Sequence, residues 1–396
     1  MTAHIEGRAF VRLVAILGAL TATGPFAIDM YLASFPELAR VFDATAAEVQ
    51  LGLSLFFLGL ALGQLLYGPL IDSYGRRGAL LAGIGGFTLT SLLLALAPNI
   101  ESFVILRFFQ AVGACAGMII GRAIISDLFE ETEVARVMSL LMLAIGLAPV
   151  LAPMTGAYIV AHASWHLIFI LLAVIGAGCW IAAFLGLPET LPREERKPFN
   201  LGSVLRNYGL VLTNRDFLVP TFGAGFSLAA LFTFVAACPF VYMEVFGASP
   251  QLFGWLFALN AIGMIGLSQL NRLFLSYYQL RHVLIAASIV TAVAGLALLG
   301  MAGTDSLTVV VILAFFCLAP IPMSSANSVA ISLKAASGLT GSASAIVGVV
   351  QFGFGAVVSG MVGMLQDGTA YPMAGIMAVC ACAALVIFAL GLVKKL

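Results

Sequence analysis

The feature that most restricts this chain is a series of apolar stretches, each about 20 residues long, the length a helix needs to cross about 30 Å of hydrocarbon. Twelve can be traced, over residues 11–31, 49–70, 78–97, 102–125, 137–160, 165–187, 217–242, 252–274, 282–302, 307–332, 340–364 and 371–393. Each is apolar on every side. A membrane β-barrel strand would alternate apolar and polar residues, so the segments read as helices and the chain as an all-α integral membrane protein. The first span is expected to remain in place. It is longer than a cleavable leader, lacks a small-residue cleavage site and carries Asp29 where cleavage would fall.

Composition removes the competing classes. The chain is 62% hydrophobic and 9% charged, against about 25% charged in soluble domains. A soluble enzyme, a disordered chain or a secreted disulfide scaffold is therefore excluded. The 18 basic and 18 acidic residues balance to zero net charge, which offers no polyelectrolyte attraction to nucleic acid. The six cysteines all fall inside apolar spans without metal-type spacing, and His4, His162, His166 and His282 lie at span ends or in loops. No metal, cofactor or enzymatic centre is expected from them.

Lysine and arginine set the orientation. With the N-terminus cytoplasmic, 15 of the 18 basic residues fall on the inside, only Arg40 falls in an outer loop, and Arg107 and Arg122 lie within a span. This is the positive-inside pattern, and it predicts an even helix number with both termini inside. The longest polar interruption, 188–216, has six spans on either side and reads as a solvated cytoplasmic linker. It divides the chain into an N-terminal six-helix half, 1–187, and a C-terminal half, 217–396. Leu55-Phe56-x-Leu58 echoes in Leu256-Phe257-x-Leu259, and Ser73-Tyr74 in Ser276-Tyr277, a weak sign of two related, pseudo-symmetric halves with a site between them.

Four local patterns carry a family resemblance. The turn after span 2 reads Gly68-Pro69-Leu70-Ile71-Asp72-Ser73-Tyr74-Gly75-Arg76-Arg77 and resembles the G-x-L-x-D-R-x-G-R-R signature of the major facilitator superfamily. Arg107-Phe108-Phe109-Gln110 in span 4 is similar to the R-x-x-Q-G region of that superfamily, and Ala152-Pro153-Met154-Thr155-Gly156-Ala157 in span 5 resembles its G-P-x-x-G-G antiporter signature. Span 1 ends Asp29-Met30-Tyr31-Leu32-Ala33-Ser34-Phe35-Pro36, similar to the D-M-Y-L-P-A-x-P of the Bcr/CflA (bicyclomycin and chloramphenicol resistance) drug:proton antiporters. Ser73, Ala33, Ala152 and Ala157 depart from the family pattern. The resemblance implies the superfamily fold and proton-coupled efflux of small amphipathic antibiotics such as bicyclomycin or phenicols. It also implies a bacterial inner-membrane location, a monomer in lipid, and protons and drug as partners. Export of an endogenous amino acid or sugar is the alternative.

An ionisable residue inside the bilayer is a functional candidate by default. Asp29 lies 17 residues after Arg12 and Arg107 six after Glu101, which places both in the outer half at about 1.5 Å per residue. The resemblance implies that helices 1 and 4 lie side by side, so an Asp29–Arg107 pair is geometrically possible, and proton and drug are expected to compete for Asp29. Arg122, near the inner end of span 4, reads as a structural residue that snorkels or pairs with an acid. In relatives the motif aspartate caps helix 11 and the motif arginine bonds an acid ending helix 4. The equivalents here are Asp72 with the region of Thr340-Gly341, and Arg76 with Asp127. Gly68, Gly75 and Arg77 of the same motif, with Gly146, Pro149, Pro153 and Gly156 of span 5, complete the expected gating set. Tyr31, Gln110, Phe226, Phe232, Phe234, Tyr242, Asn260, Asn327 and Gln351 are the candidate cavity residues, on the rule that drug sites are apolar with a few placed polar groups.

Overall fold

The computed structural model describes residues 7–129, 131–196 and 198–393. All regular structure among them is helical, and twelve segments are long and apolar enough to cross a membrane. The N-terminal half holds α1 (Gly7–Asp29), a short α2 (Phe35–Val41), α3 (Ala46–Tyr74), α4 (Arg76–Leu94), α5 (Ile100–Leu128), α6 (Glu131–His162) and α7 (His166–Gly186). After α8 (Leu201–Leu212), the C-terminal half holds α9 (Arg215–Pro239), α10 (Pro250–Tyr277), α11 (Leu280–Gly300), α12 (Leu307–Leu318), α13 (Ile321–Ala335), α14 (Thr340–Leu365) and α15 (Tyr371–Val393).

Helices are the natural solution because a bilayer offers no water to satisfy backbone N–H and C=O groups. Their starts follow local chemistry. Thr45 and Glu48 form a reciprocal capping box at α3, while Asn99, Asn200, Asn214 and Ser249 cap α5, α8, α9 and α10 with side-chain oxygens. Gly75, at φ +98°, makes the sharp turn between α3 and α4, a conformation in which a side chain would be strained. Leucines, valines and phenylalanines such as Leu66, Val174, Phe184 and Val293 remain exposed on surfaces that hydrocarbon would cover.

Three spans are less regular than uniform apolar runs imply. Span 1 stops as an α-helix at Asp29, passes through a 3-10 turn at Leu32–Ser34 and restarts as α2, where Pro36 sits in the first turn. Arg40, expected in an outer loop, lies in that short helix. Span 7 ends in a wide π-type turn, Phe240–Val245, directly after Pro239, a proline having no N–H for the regular ladder. Span 10 is two helices broken at Ala319-Pro320. Hydropathy gives little sign of any of the three, since each break is made mostly of apolar residues beside a proline.

The halves meet along α3 against α14 and α6 against α10. One end of the bundle carries the α3–α4 turn, the segment before α8 and the α13–α14 turn, and is termed the linker face; the opposite end is the far face. At the far face the halves are closed. Gln50 donates to the Ala236 carbonyl (3.3 Å), Ser54 donates to that of Ala356 (2.6 Å), and Gly363 lies against the backbone of Ala47. At the linker face Asp72 and the Thr340-Gly341 start of α14 line opposite sides of a pocket of about 310 Å³.

The segment read as a solvated linker is partly built in. The Tyr208 hydroxyl of α8 donates to the Leu65 carbonyl of α3 (3.0 Å), and Val211 is buried against the start of α9 and α14. Helix α8 thus touches both halves.

Candidate functional site

The break after Asp29 organises the first part of the site. A helix leaves its last four carbonyls without intrahelical partners, and Ala27 supplies one of them. The Arg107 guanidinium donates to that carbonyl (3.0 Å), and a cation at a helix C-terminus is also favoured by the helix dipole. Its other nitrogen donates to Gln110, whose amide in turn donates to Ser91 (2.8 Å). The guanidinium is fully buried and lies over the rings of Tyr31 (4.0 Å) and Phe56 (4.2 Å), an arrangement worth about 2 kcal/mol when desolvated. Phe35, Phe103, Trp165 and Phe169 extend the aromatic packing around it.

Asp29 and Arg107 form no ion pair among the described residues, although their similar depth made one geometrically possible. The Arg107 guanidinium is committed instead to the Ala27 carbonyl of the helix end and to Gln110. Asp29 is 6% exposed and has no hydrogen bond or salt bridge among the described residues. Helix α6 fixes this geometry. A side chain on Gly156 would run into the Met30 carbonyl oxygen, so only glycine lets α6 lie on the turn that follows Asp29. The same helix meets the C-terminal half at Gly254 of α10, where a methyl group would come within 3.2–3.4 Å of Ala157, Met154 and Pro153, and at Gly146, which faces Ile265.

The second group of expected cavity residues divides by location. Tyr31 and Gln110 are enclosed around Arg107, and Phe234 and Tyr242 are packed near the far face with Phe253 and Phe257. Asn260, also buried, donates to the Leu256 carbonyl of its own helix (2.9 Å). Phe232 stacks with Phe57 and Phe352, joining α9, α3 and α14 across the two halves, and Phe226 packs edge-on against Phe354. Asn327 and Asn271 exchange two amide hydrogen bonds of 3.0 Å between α13 and α10, and Gln351 approaches Ser325 at 3.4 Å. Phe57, Phe352 and Asn271 escaped sequence reasoning. Only Asn271, an amide within an apolar span, carried a signal that could have found it.

The third group lies at the linker face. Arg76 bonds Asp72 (2.6 Å) and Asp127 (3.1 Å), joining the ends of α3, α4 and α5. The linker joins them too. Thr190 donates to Asp127 (2.7 Å), and Glu189 accepts from the backbone N–H groups of Arg76 (2.8 Å) and Arg77 (3.3 Å), the anion position that a helix N-terminus favours. Arg77 donates to the Phe184 carbonyl, and Gly68 lines the 310 Å³ pocket with Asp72. Pro149 lies within α6. Arg122 is exposed and has no acidic partner among the described residues, which leaves snorkelling as the structural reading of the two.

A twelve-span bundle of two six-helix halves, joined by a linker, with a buried acid and a buried cation near their junction, is the layout of a multi-pass membrane transporter. The Major Facilitator Superfamily pattern matches residues 17–360, and the chain belongs to that superfamily. It is 38% identical over 378 residues to the uncharacterized MFS-type transporter YdgK of Bacillus subtilis, covering 95% of this chain and 94% of the relative. It is 34% identical over 366 residues to a bicyclomycin resistance protein homolog of Haemophilus influenzae, covering 92% of each. Multidrug transporter MdfA of Yersinia pestis matches at 32% over 54% of this chain and 53% of its own. Among solved structures, the xylose transporter XylE from E. coli, in a partially occluded inward-open conformation, has a TM-score of 0.74 at 16% identity over 96% of both chains. The nucleoside transporter NupG has a TM-score of 0.75 at 15% identity, over 96% of this chain and all of its own. These last two share the fold.

Proposed function

We propose that this transporter is a drug:proton antiporter that exports small amphipathic antibiotics, bicyclomycin or phenicols among them, by alternating access. It works as a monomer in the bacterial inner membrane with both termini cytoplasmic. The observation that carries the reading is Asp29: a nearly buried acid at a helix break in the outer half of span 1, with no hydrogen bond or ion pair among the described residues. The similarity to a bicyclomycin resistance homolog over most of both chains supports the substrate class, and the concentration of basic residues in the loops of one face supports the orientation.

In this reading Asp29 takes up a proton when the far face opens to the acidic side. Closure of that face, through α3 against α14 and α6 against α10, carries the proton inward. Drug entering from the linker face favours its release, so one state never profits from both ligands. Arg107 holds the helix end that presents the carboxyl. The linker-face network of Asp72, Arg76 and Asp127 locks that face in the opposite state, when Asp72 crosses the pocket to cap α14.

Drug-driven proton movement in liposomes tests the coupling. Asp29→Asn is expected to abolish it while leaving the protein folded, and wild-type coupling in that variant would sink the proposal. Growth inhibition by a panel of antibiotics in an efflux-deficient host tests the substrate. Protection against none of them, with export of an amino acid or sugar in vesicles, would favour the metabolite reading instead.

A further inference from the structure

At the linker face of the C-terminal half, apart from the gate, lies a hollow of about 500 Å³ between the start of α9, the start of α11, the end of α13 and the end of α15. Four charged residues line it: Arg215, Arg281 and Lys334 against the single carboxylate of Asp216. Asp216 and Arg281 are both engaged by other groups. Arg215 and Lys334 are exposed and converge on the same space.

The arrangement is not explained by the helices themselves. Lys334 suits the last turn of α13, where a cation complements the dipole, but Arg215 occupies the first turn of α9, where a cation is disfavoured. Asn214 already caps that helix through the N–H groups of Asp216 and Phe217, so Arg215 is not needed as a cap. Two cations held together beside a helix start call for an anion from outside. The rim decides its character. Val219 and Leu390 border the hollow, Leu390 being 69% exposed, so a charged floor opens onto a surface suited to hydrocarbon. Lys394 and Lys395 follow in the sequence, outside the described residues.

We propose that this hollow binds the phosphate of an anionic phospholipid, with Arg215 and Lys334 holding the head group and the acyl chains lying along Val219 and Leu390. Basic pockets between membrane helices on the cytoplasmic side recognise such head groups by charge. A phosphate group is the shared chemistry, and the apolar rim assigns it to lipid over a soluble anion. The site is independent of what the transporter carries.

The test is lipid retention by the full-length protein, measured by native mass spectrometry after reconstitution in nanodiscs mixing dioleoylphosphatidylcholine and dioleoylphosphatidylglycerol. Phosphatidylglycerol is expected to be kept in preference. Arg215→Gln with Lys334→Gln should weaken that preference about 25-fold, a factor of about five for each cation. Arg193→Gln with Arg206→Gln removes the same charge from exposed linker positions and should leave it unchanged. Arg215→Lys with Lys334→Arg should retain it, which separates loss of charge from loss of fold. Equal retention of both lipids by the native protein, or equal weakening in the linker pair, would overturn the site. Displacement of the retained lipid by excess inorganic phosphate would overturn the assignment to lipid while keeping the phosphate.

Discussion

Arg107 and Asp29, the two buried charged side chains among the described residues of the N-terminal half, differ in role. Arg107 closes the end of α1, bridging the Ala27 carbonyl and Gln110 beneath two aromatic rings. Removing it strands buried polar groups, each costing about 1–3 kcal/mol when left unpaired. Arg107→Met is therefore expected to lower the melting temperature of the detergent-solubilised protein substantially, with only partial recovery in Arg107→Lys, since an ammonium lacks the planar fork. Asp29→Asn keeps the shape and should melt close to wild type. A wild-type melt for Arg107→Met would show that the guanidinium does not hold the helix end. Sequence depth put these two residues at the same level, but the bonding of Arg107 depended on where the α-helix stops, and that break falls in a mostly apolar stretch ahead of Pro36.

At the scale of elements, α6 is the helix that fits two surfaces at once. Its Gly156 lies against the Met30 backbone, with no room for a methyl group, whereas a methyl on Gly146 would meet Ile265 at 3.6 Å, an ordinary contact. Gly156→Ala should therefore cost about 1–3 kcal/mol, the range for overpacking, and Gly146→Ala close to none. Paired thermal melts check the contrast, and equal effects would refute the packing argument. The linker offers a second prediction. Glu189 serves the start of α4, so Glu189→Ala should destabilise by about 1 kcal/mol, as loss of a helix cap does, read out as faster proteolysis of the segment between α7 and α8. The polar composition of 188–216 pointed to a solvated linker; its capping and docking contacts depend on partners 63 to 143 residues away in the chain.

For the whole molecule the far-face closure is the testable state. Gly363 sits on the Ala47 backbone, so Ala47→Cys with Gly363→Cys should cross-link readily on oxidation and block export until reduced; undiminished export at full cross-linking would exclude opening at that face as part of the cycle. The twelve spans, their division six and six and the superfamily were readable from the chain alone, because hydrocarbon thickness dictates segment length and burying an unpaired backbone group is prohibitive there. Those constraints act on each segment separately and leave their mark in local composition. Other features came only from packing: the commitment of Arg107 to the Ala27 carbonyl, the enclosure of Tyr31, Gln110 and Tyr242 among the cavity candidates, the Phe57–Phe232–Phe352 cluster and the Asn271–Asn327 exchange. In a chain apolar on every face, hydropathy does not say which side of a helix meets lipid and which meets another helix. Close approach at small residues and the few available polar partners decide that, and both are properties of the assembled bundle.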